Sequence, residues 1–256
     1  MARGVTLITG ASAGLGAEFA RQCAARGEAL ALVARRRDRL EALKGALGGE
    51  VHVFAADLAR EGAAASLVAE LEAEGLAVET LINNAGFGLA GKFASLPQDR
   101  QSEMIDLNVR TLVELCHLVL PGMRERGKGA ILNVASTAAF QAGPNMAVYY
   151  ASKAFVLSFT EALHHELKGS GIKVSALCPG PTESEFGEVA GSKSPALERI
   201  KGPAAPVVRA GLDGLDANKA VVIPGLPNKI TAQVSRFLPR AAMRRLVGRI
   251  KVDGGK

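Results

Sequence analysis

The 256-residue sequence predicts an α/β fold: a doubly wound parallel sheet of about seven strands, with helices on both faces, in a single domain. Three observations predict it. Apolar runs of three to six residues recur along the chain and alternate with segments rich in Ala, Leu, Glu and Arg at helical spacing. The runs are apolar nearly throughout rather than at every second position, which is the pattern of strands covered on both faces. A glycine-rich turn, Thr9-Gly-Ala-Ser-Ala-Gly-Leu-Gly16, lies between the first run and the first helical segment.

Taken in order, residues 4–8 read as the first strand and 14–26 as the first helix. Gly10 permits a tight turn, Gly14 lets backbone approach a pyrophosphate, and Gly16 lets helix pack on strand. Ser12, Ala13 and Leu15 complete a turn whose amides and helix dipole face the phosphates, as in a Rossmann-type dinucleotide site. Residues 29–33 form the second strand and 37–47 the second helix. An acidic residue at the end of that strand would bind the ribose hydroxyls of NAD. Ala34 stands there instead, followed by Arg35 and Arg36, which can grip a 2′-phosphate bidentately. NADP(H) is therefore favoured over NAD(H), although Asp38 nearby is acidic.

Residues 51–54 read as the third strand, followed by Asp57 and Leu58 at the adenine edge. The fourth strand, 80–82, leads into Asn83-Asn84-Ala85-Gly86, a turn of small residues against which a nucleotide can lie. The fifth and sixth strands fall at 130–134 and 172–177, and residues 221–223 offer a seventh. Between the last two, the stretch from Pro179 to Pro206 holds five prolines, too long and irregular for an ordinary connection. It reads as a substrate lid at about 181–206.

The most informative chemistry lies before the sixth strand. Tyr149 and Lys153 are four residues apart and share one face of a helix. An ammonium beside a phenol favours its charged form, which makes a group of ordinary pKa about 10 usable as an acid or base near neutrality. Ser136 lies thirteen residues upstream of Tyr149, and Asn108 further back. With a phosphate turn at the start of the chain, this set reads as an enzyme.

Composition excludes several other classes. The hydrophobic fraction of 48% indicates a globular chain, and no uncharged apolar run reaches about 18 residues, so no transmembrane helix is expected. The first residues lack the plan of a signal peptide. Cys23, Cys116 and Cys178 are odd in number and scattered, and read as small buried residues in a reducing cytoplasm. His164-His165-Glu166 lacks the second histidine of a zinc helix, since position 169 is Gly, so no metal site is supported.

The net charge of +6 is concentrated at the end of the chain. Residues 229–256 hold eight Lys and Arg against Asp253 alone, leaving residues 1–228, the expected dinucleotide-binding catalytic domain, close to neutral. Ile230, Val234, Phe237, Leu238, Leu246, Val247 and Ile250 alternate with arginines, and Pro239 interrupts them, predicting two short basic amphipathic helices. Two readings stay open. The apolar face packs on the domain or a partner subunit, or residues 229–251 attach peripherally to an anionic inner-membrane surface. Nucleic acid is excluded, because aromatics are only 4% and the basic cluster is a single stripe.

On these residues the chain resembles the short-chain dehydrogenase/reductase family across roughly 4–182. The motifs are Thr9 to Gly16, Asp57, Asn83 to Gly86, Asn108, Ser136, Tyr149 with Lys153, and Pro179-Gly180. The resemblance implies a proton transfer between Tyr149 and a carbonyl oxygen, which Ser136 holds and polarises. It implies that Lys153 binds the nicotinamide ribose and lowers the pKa of Tyr149, and that Asn108 positions a water linking Lys153 to solvent. Pro179 and Gly180 would border the nicotinamide, with Thr182 on its carboxamide. A homodimer or homotetramer through helices on the flank of the sheet is also implied.

The expected activity is interconversion of a ketone and a secondary alcohol, with an apolar or acyl-type ketone favoured by the apolar lid and tail. An NAD-dependent alcohol dehydrogenase working oxidatively is the alternative. A non-catalytic nucleotide sensor or membrane-associated binding protein on the same fold has no need of Ser136, Tyr149 and Lys153 together.

Overall fold

The structure, a computed structural model, describes residues 2–192 and 199–248. The apolar runs become β1 (Arg3–Thr9), β2 (Leu30–Ala34), β3 (Val51–Ala55), β4 (Leu76–Asn83), β5 (Gly129–Val134), β6 (Ile172–Leu177) and β7 (Val221–Val222). All pair in parallel in the order β3-β2-β1-β4-β5-β6-β7. The chain builds outward from β1 in one direction and then, from β4, in the other. The crevice at that reversal, beyond the carboxyl ends of β1 and β4, is where a parallel sheet receives a ligand.

The helices are α1 (Gly14–Ala25), α2 (Arg37–Ala46), α3 (Ala63–Ala73), α4 (Gln98–Ile105), α5 (Thr111–Arg126), α6 (Ala147–Glu166), α7 (Phe186–Val189), α8 (Ala204–Asp216), α9 (Leu226–Phe237) and α10 (Arg240–Gly248). They cover two faces because strand side chains alternate. On one face Leu7, Val33, Leu81, Ile131 and Val174 meet Leu67 and Leu71 of α3, Leu115 and Val119 of α5, and Val156 and Leu163 of α6. On the other Ile8, Leu32, Ile82, Leu132 and Leu177 meet Phe19 of α1, Leu40 of α2, and Val208 and Leu212 of α8. Each fully buried side chain of this size contributes roughly 1.5–3 kcal/mol, so the two layers hold the sheet rigid beneath the crevice. All three cysteines are buried in these layers and unpaired, as their scattered positions predict.

A buried polar network sets the position of α6, the helix that carries Tyr149 and Lys153. Asn83 Nδ2 donates to Asn133 Oδ1 at 3.0 Å, and Asn133 Nδ2 donates to Thr160 Oγ1 at 3.0 Å. Thr160 in turn donates to the Val156 carbonyl. Such bonds fix one register between β4, β5 and α6, because any slip would leave a buried amide unsatisfied.

Three element boundaries differ from the sequence expectation. β4 begins at Leu76 rather than 80, because Leu76 and Ala77 pair with Arg3 and Gly4 through a register shift at Val5/Thr6. The expected lid at 181–206 ends sooner, and its residues 193–198 lie outside the described residues. It contains α7, a parallel bridge joins Thr182 to Gly202, and α8 already starts at Ala204 because Pro206 is tolerated in a first helical turn. The two tail helices form on either side of Pro239, but the first begins at Leu226, before the expected start at 229. Ile250 and residues 251–256 of the tail lie outside the described residues. Among the described residues, no helix is long and apolar enough to cross a membrane.

Candidate active site

The glycine turn is locked to the end of β4. Thr9 Oγ1 accepts from the backbone amides of Asn84 and Ala85, both at 3.0 Å, and Asn84 Nδ2 donates to the Thr9 carbonyl at 2.9 Å. Gly10 has φ +66°, and a Cβ there would stand 2.9 Å from Ala85 Cα. At Gly16 a Cβ would fall 2.1 Å from the Gly10 carbonyl oxygen. Each position therefore requires glycine for close backbone approach. Ala13 precedes α1 in extended conformation, with no side chain capping the helix. The first-turn amides of α1 are thus left to phosphate oxygens. Leu15 packs into the core below, while Ser12 and Gly14 line a cavity of about 440 Å³ between α1 and the lid.

The residues expected at the adenine end separate. Arg36 Nη2 donates to Ser12 Oγ at 3.2 Å and pairs with Glu185 of the lid at 3.0 Å. Arg35 turns away, with Nη1 3.5 Å from Glu103 of α4. Its place beside Arg36 is taken by Arg39, which also pairs with Glu185. Of the expected Arg35/Arg36 pair, Arg36 thus faces Glu185 together with Arg39, while Arg35 faces Glu103. Asp57 accepts from the Ala59 amide at 3.3 Å, and the Leu58 side chain is buried in the core, so Leu58 offers a cofactor only its backbone.

Ser136, just past the end of β5, meets Tyr149 and Lys153 of α6. Ser136 follows β5 and caps the 3-10 turn Thr137–Phe140, its Oγ accepting from the Ala138 amide at 3.1 Å. Its hydroxyl also lies toward the phenol of Tyr149, where it favours the charged form. Lys153 is only 6% exposed and donates to the Val134 carbonyl at 2.8 Å. Burial lowers its pKa to about 8 and raises that of Tyr149 to about 12, the latter opposed in part by Ser136. The expectation that Lys153 draws the phenol down is thus not met by the protein's own side chains. Desolvation by burial is the largest cause of both shifts.

Asn108 sits on a π-helical turn, Asp106–Arg110, between α4 and α5. Its Oδ1 accepts from the Phe87 amide at 3.1 Å, and its Nδ2 donates to the Phe87 carbonyl at 2.9 Å and to Ser152 Oγ at 3.1 Å. Both amide protons are taken, leaving one Oδ1 lone pair for any further contact. Gly86 lies beside it, where a Cβ would stand 2.8 Å from Asn108 Oδ1 and 3.6 Å from Lys153 Nζ. Ser152, not anticipated from the sequence, joins this clamp to the active helix by donating to the Tyr149 carbonyl at 2.7 Å.

Past Lys153, the Pro179 carbonyl accepts from the Thr137 amide at 2.9 Å, and Thr182 Oγ1 donates to the Gly180 carbonyl at 2.9 Å. Gly180 lies under α9, a Cβ there meeting Asn228 at 2.4 Å. The lid then crosses the site. Phe186 packs on Tyr149 with ring centroids 5.1 Å apart, amid Ala90, Met146, Ala190 and Tyr150. The Ala90 amide donates to the Ala190 carbonyl at 2.8 Å, tying the lid to the loop after β4. Nothing in residues 183–188 follows a pattern that would single out Phe186 in the sequence.

A glycine turn fused to Asn84-Ala85-Gly86, with Ser136, Tyr149 and Lys153 at the same sheet edge, is the arrangement of a nicotinamide-dependent enzyme. The family model described as short chain dehydrogenase matches residues 4–194. The chain belongs to the short-chain dehydrogenase/reductase family. This dehydrogenase is 44% identical over 184 residues to the sulfoacetaldehyde reductase of Chromohalobacter salexigens, covering 70% of this chain and 72% of that one. It is 37% identical over 179 residues to the NADP-dependent 3-hydroxy acid dehydrogenase YdfG of Escherichia coli K12, covering 69% and 71%. The structure of a short-chain dehydrogenase from Sphingobium yanoikuyae in complex with NADPH matches with a TM-score of 0.81 at 33% identity, covering 99% of this chain and 98% of that one. The short-chain dehydrogenase described here is accordingly an oxidoreductase with a Rossmann-type nucleotide site. Its own residues fit a dinucleotide: the uncapped α1 terminus, and Gly10 and Gly16 in the turn before it, where a Cβ would obstruct.

Proposed function

We propose that this short-chain dehydrogenase is an NADP(H)-dependent reductase of an apolar ketone, with Tyr149 as its general acid. The observation that carries the reading is that Ser136 and Lys153 flank the buried phenol of Tyr149, which packs amid Ala90, Met146, Tyr150, Ala190 and Phe186. The bound nicotinamide supplies the hydride. Tyr149 gives its proton to the carbonyl oxygen, and Ser136 donates to that same oxygen as negative charge develops on it. Lys153, anchored by Val134, presents the charge that faces the nicotinamide ribose, and Asn108 holds the Gly86–Phe87 turn beside it. Pro179, Gly180 and Thr182 form the wall opposite.

Titration with NADPH and NADH, followed by a panel of carbonyl compounds, tests the reading. Tighter binding of NADPH and turnover on apolar ketones are expected. Preference for NADH, or turnover confined to small anionic aldehydes such as the substrate of the Chromohalobacter relative, would replace it.

The cofactor preference rests on Ala34, Arg36 and Arg39, and two related proteins are named for NADP or NADPH. Ala34 is 9% exposed at the end of β2, where a carboxylate would meet the ribose hydroxyls and repel a 2′-phosphate. Ala34→Asp is expected to shift the NADPH/NADH ratio of kcat/KM toward NADH by about tenfold or more. An unchanged ratio would remove the assignment.

The tail divides its apolar residues between two faces. Ala232, Met243 and Val247 are buried against the domain, whereas Leu226, Ile230, Phe237 and Leu246 are exposed beside Lys229, Arg240, Arg244 and Arg245. Packing on the domain thus accounts for the inward half. The outward half has the chemistry to rest on an anionic lipid surface. Replacing exposed Ile230 and Phe237 together by Glu is expected to reduce co-sedimentation with phosphatidylserine vesicles several-fold. Equal sedimentation of both forms would end the membrane reading.

A further inference from the structure

The lid segment Ser184-Glu185-Phe186 touches the site in three places. A Cβ built on Gly14 would stand 2.9 Å from Ser184 Cβ, so Ser184 rides on the phosphate turn. Phe186 covers Tyr149 at the opposite end. Between them Glu185 Oε2 accepts from Arg36 Nη2 at 3.0 Å and Oε1 accepts from Arg39 Nη1. Arg36 Nη2 also holds Ser12 Oγ at 3.2 Å. One carboxylate is thus gripped through both oxygens by two guanidiniums beside a hydroxyl, the donor set that an arginine pair offers to phosphate. The two arginines keep the Glu185 carboxyl below the usual carboxylate range, so the group is an anion at ordinary pH.

We propose that Glu185 is an internal competitor for the 2′-phosphate of NADP(H): the phosphate displaces its carboxylate from Arg36 and Arg39, and release of Glu185 frees the lid over Tyr149. The inference rests on the reading of Arg36 and Arg39 as phosphate ligands. Its physical content is that one anion site serves two anions in turn. Because Glu185 and Phe186 are adjacent, a change at the phosphate end is felt at the phenol. Glu185 is therefore a specificity-determining residue that does not itself contact a reacting atom. Solvent screens the pairs, with side chains about 40% exposed, so the competition is modest in size and salt-dependent.

The test compares the full-length chain with E185Q, using 2′,5′-ADP and 5′-AMP as probes that differ in the 2′-phosphate. Calorimetry is expected to show 2′,5′-ADP binding about three- to tenfold tighter to E185Q than to the native chain, with 5′-AMP within about twofold. Hydrogen exchange of the lid amides at 183–190 should rise in the native chain on adding 2′,5′-ADP but not 5′-AMP. E185Q should show raised exchange without either. If the native chain prefers 2′,5′-ADP and E185Q gains nothing, the competition is overturned while the NADP(H) reading stands. If both proteins bind the two nucleotides equally, the phosphate reading falls and the competition falls with it, even where E185Q loosens the lid.

Discussion

Tyr149→Phe is expected to lower turnover by roughly a hundred- to ten-thousandfold while leaving the cofactor Kd within a few fold. The substitution removes one hydroxyl and keeps the ring that packs on Phe186 and Tyr150, so the pocket retains its shape. What is lost is the proton donor at the position where the ketone oxygen becomes negative, an interaction worth more in the transition state than in the ground state. Ser136 still bonds that oxygen, and the nicotinamide stays oriented, which sets a floor under the residual rate. Tyr150 is no substitute: it is three residues from Lys153 rather than four, and its ring stands edge-on to Tyr149 at 79°. Single-turnover measurement with saturating cofactor isolates the chemical step. A near-native rate in the Phe variant would rule out Tyr149 as the acid.

Lys153→Met is expected to abolish turnover and to change how stability depends on pH. Lys153 is buried with its ammonium on the Val134 carbonyl, and its pKa falls from the ordinary 10.5 to about 8. Between those values the unfolded chain binds more protons than the folded one, so the native protein gains stability as pH rises across that window. Below about pH 8 both states are protonated, and burial of the charge carries its full cost. The Met variant lacks this term. Relative to it, native stability should climb between pH 8 and 10 by an amount on the order of 2–3 kcal/mol. Tyr149 acts with the opposite sign. Its pKa is raised from 10.0 to about 12, so its contribution is complete below pH 10 and is lost as pH rises toward 12. Urea denaturation of both proteins from pH 7 to 10 measures the difference. Parallel curves would mean that Lys153 titrates as a solvated lysine.

The two variants test different parts of the same helix, and one network supports both. Asn108 clamps Phe87 and reaches Ser152, which holds the Tyr149 carbonyl, while Thr160 further along α6 is bound through Asn133 to Asn83. The phenol and the ammonium are thus presented on a helix fixed at two levels, which keeps their positions within the small tolerance that proton transfer demands.

Much of this was legible in the sequence. The strands at 4–8, 29–33, 51–54, 130–134 and 172–177 appear within two residues of their expected ends, because strands covered on both faces are apolar at most positions. The glycine turn was legible for a similar reason: only glycine tolerates a Cβ position 2.1 Å from a carbonyl oxygen. The Tyr149–Lys153 pair was legible from helical spacing. The start of β4 was not, because Glu79 interrupts its apolar pattern and Leu76 and Ala77 reveal themselves as strand only by pairing with β1.

The sequence by itself therefore determined the sheet, the phosphate turn and the helical register of the acid and its lysine. All three follow from period, turn chemistry and i,i+4 geometry, which act over a few residues. Only the tertiary structure decided that Arg39 rather than Arg35 joins Arg36, that Glu185 reaches Arg36 across 149 residues, and that Phe186 covers Tyr149. It also decided the direction of both pKa shifts and which half of the tail turns inward. Long charged side chains choose partners from whatever the fold brings near, and desolvation depends on every neighbour at once, so neither is written in any short stretch of the chain.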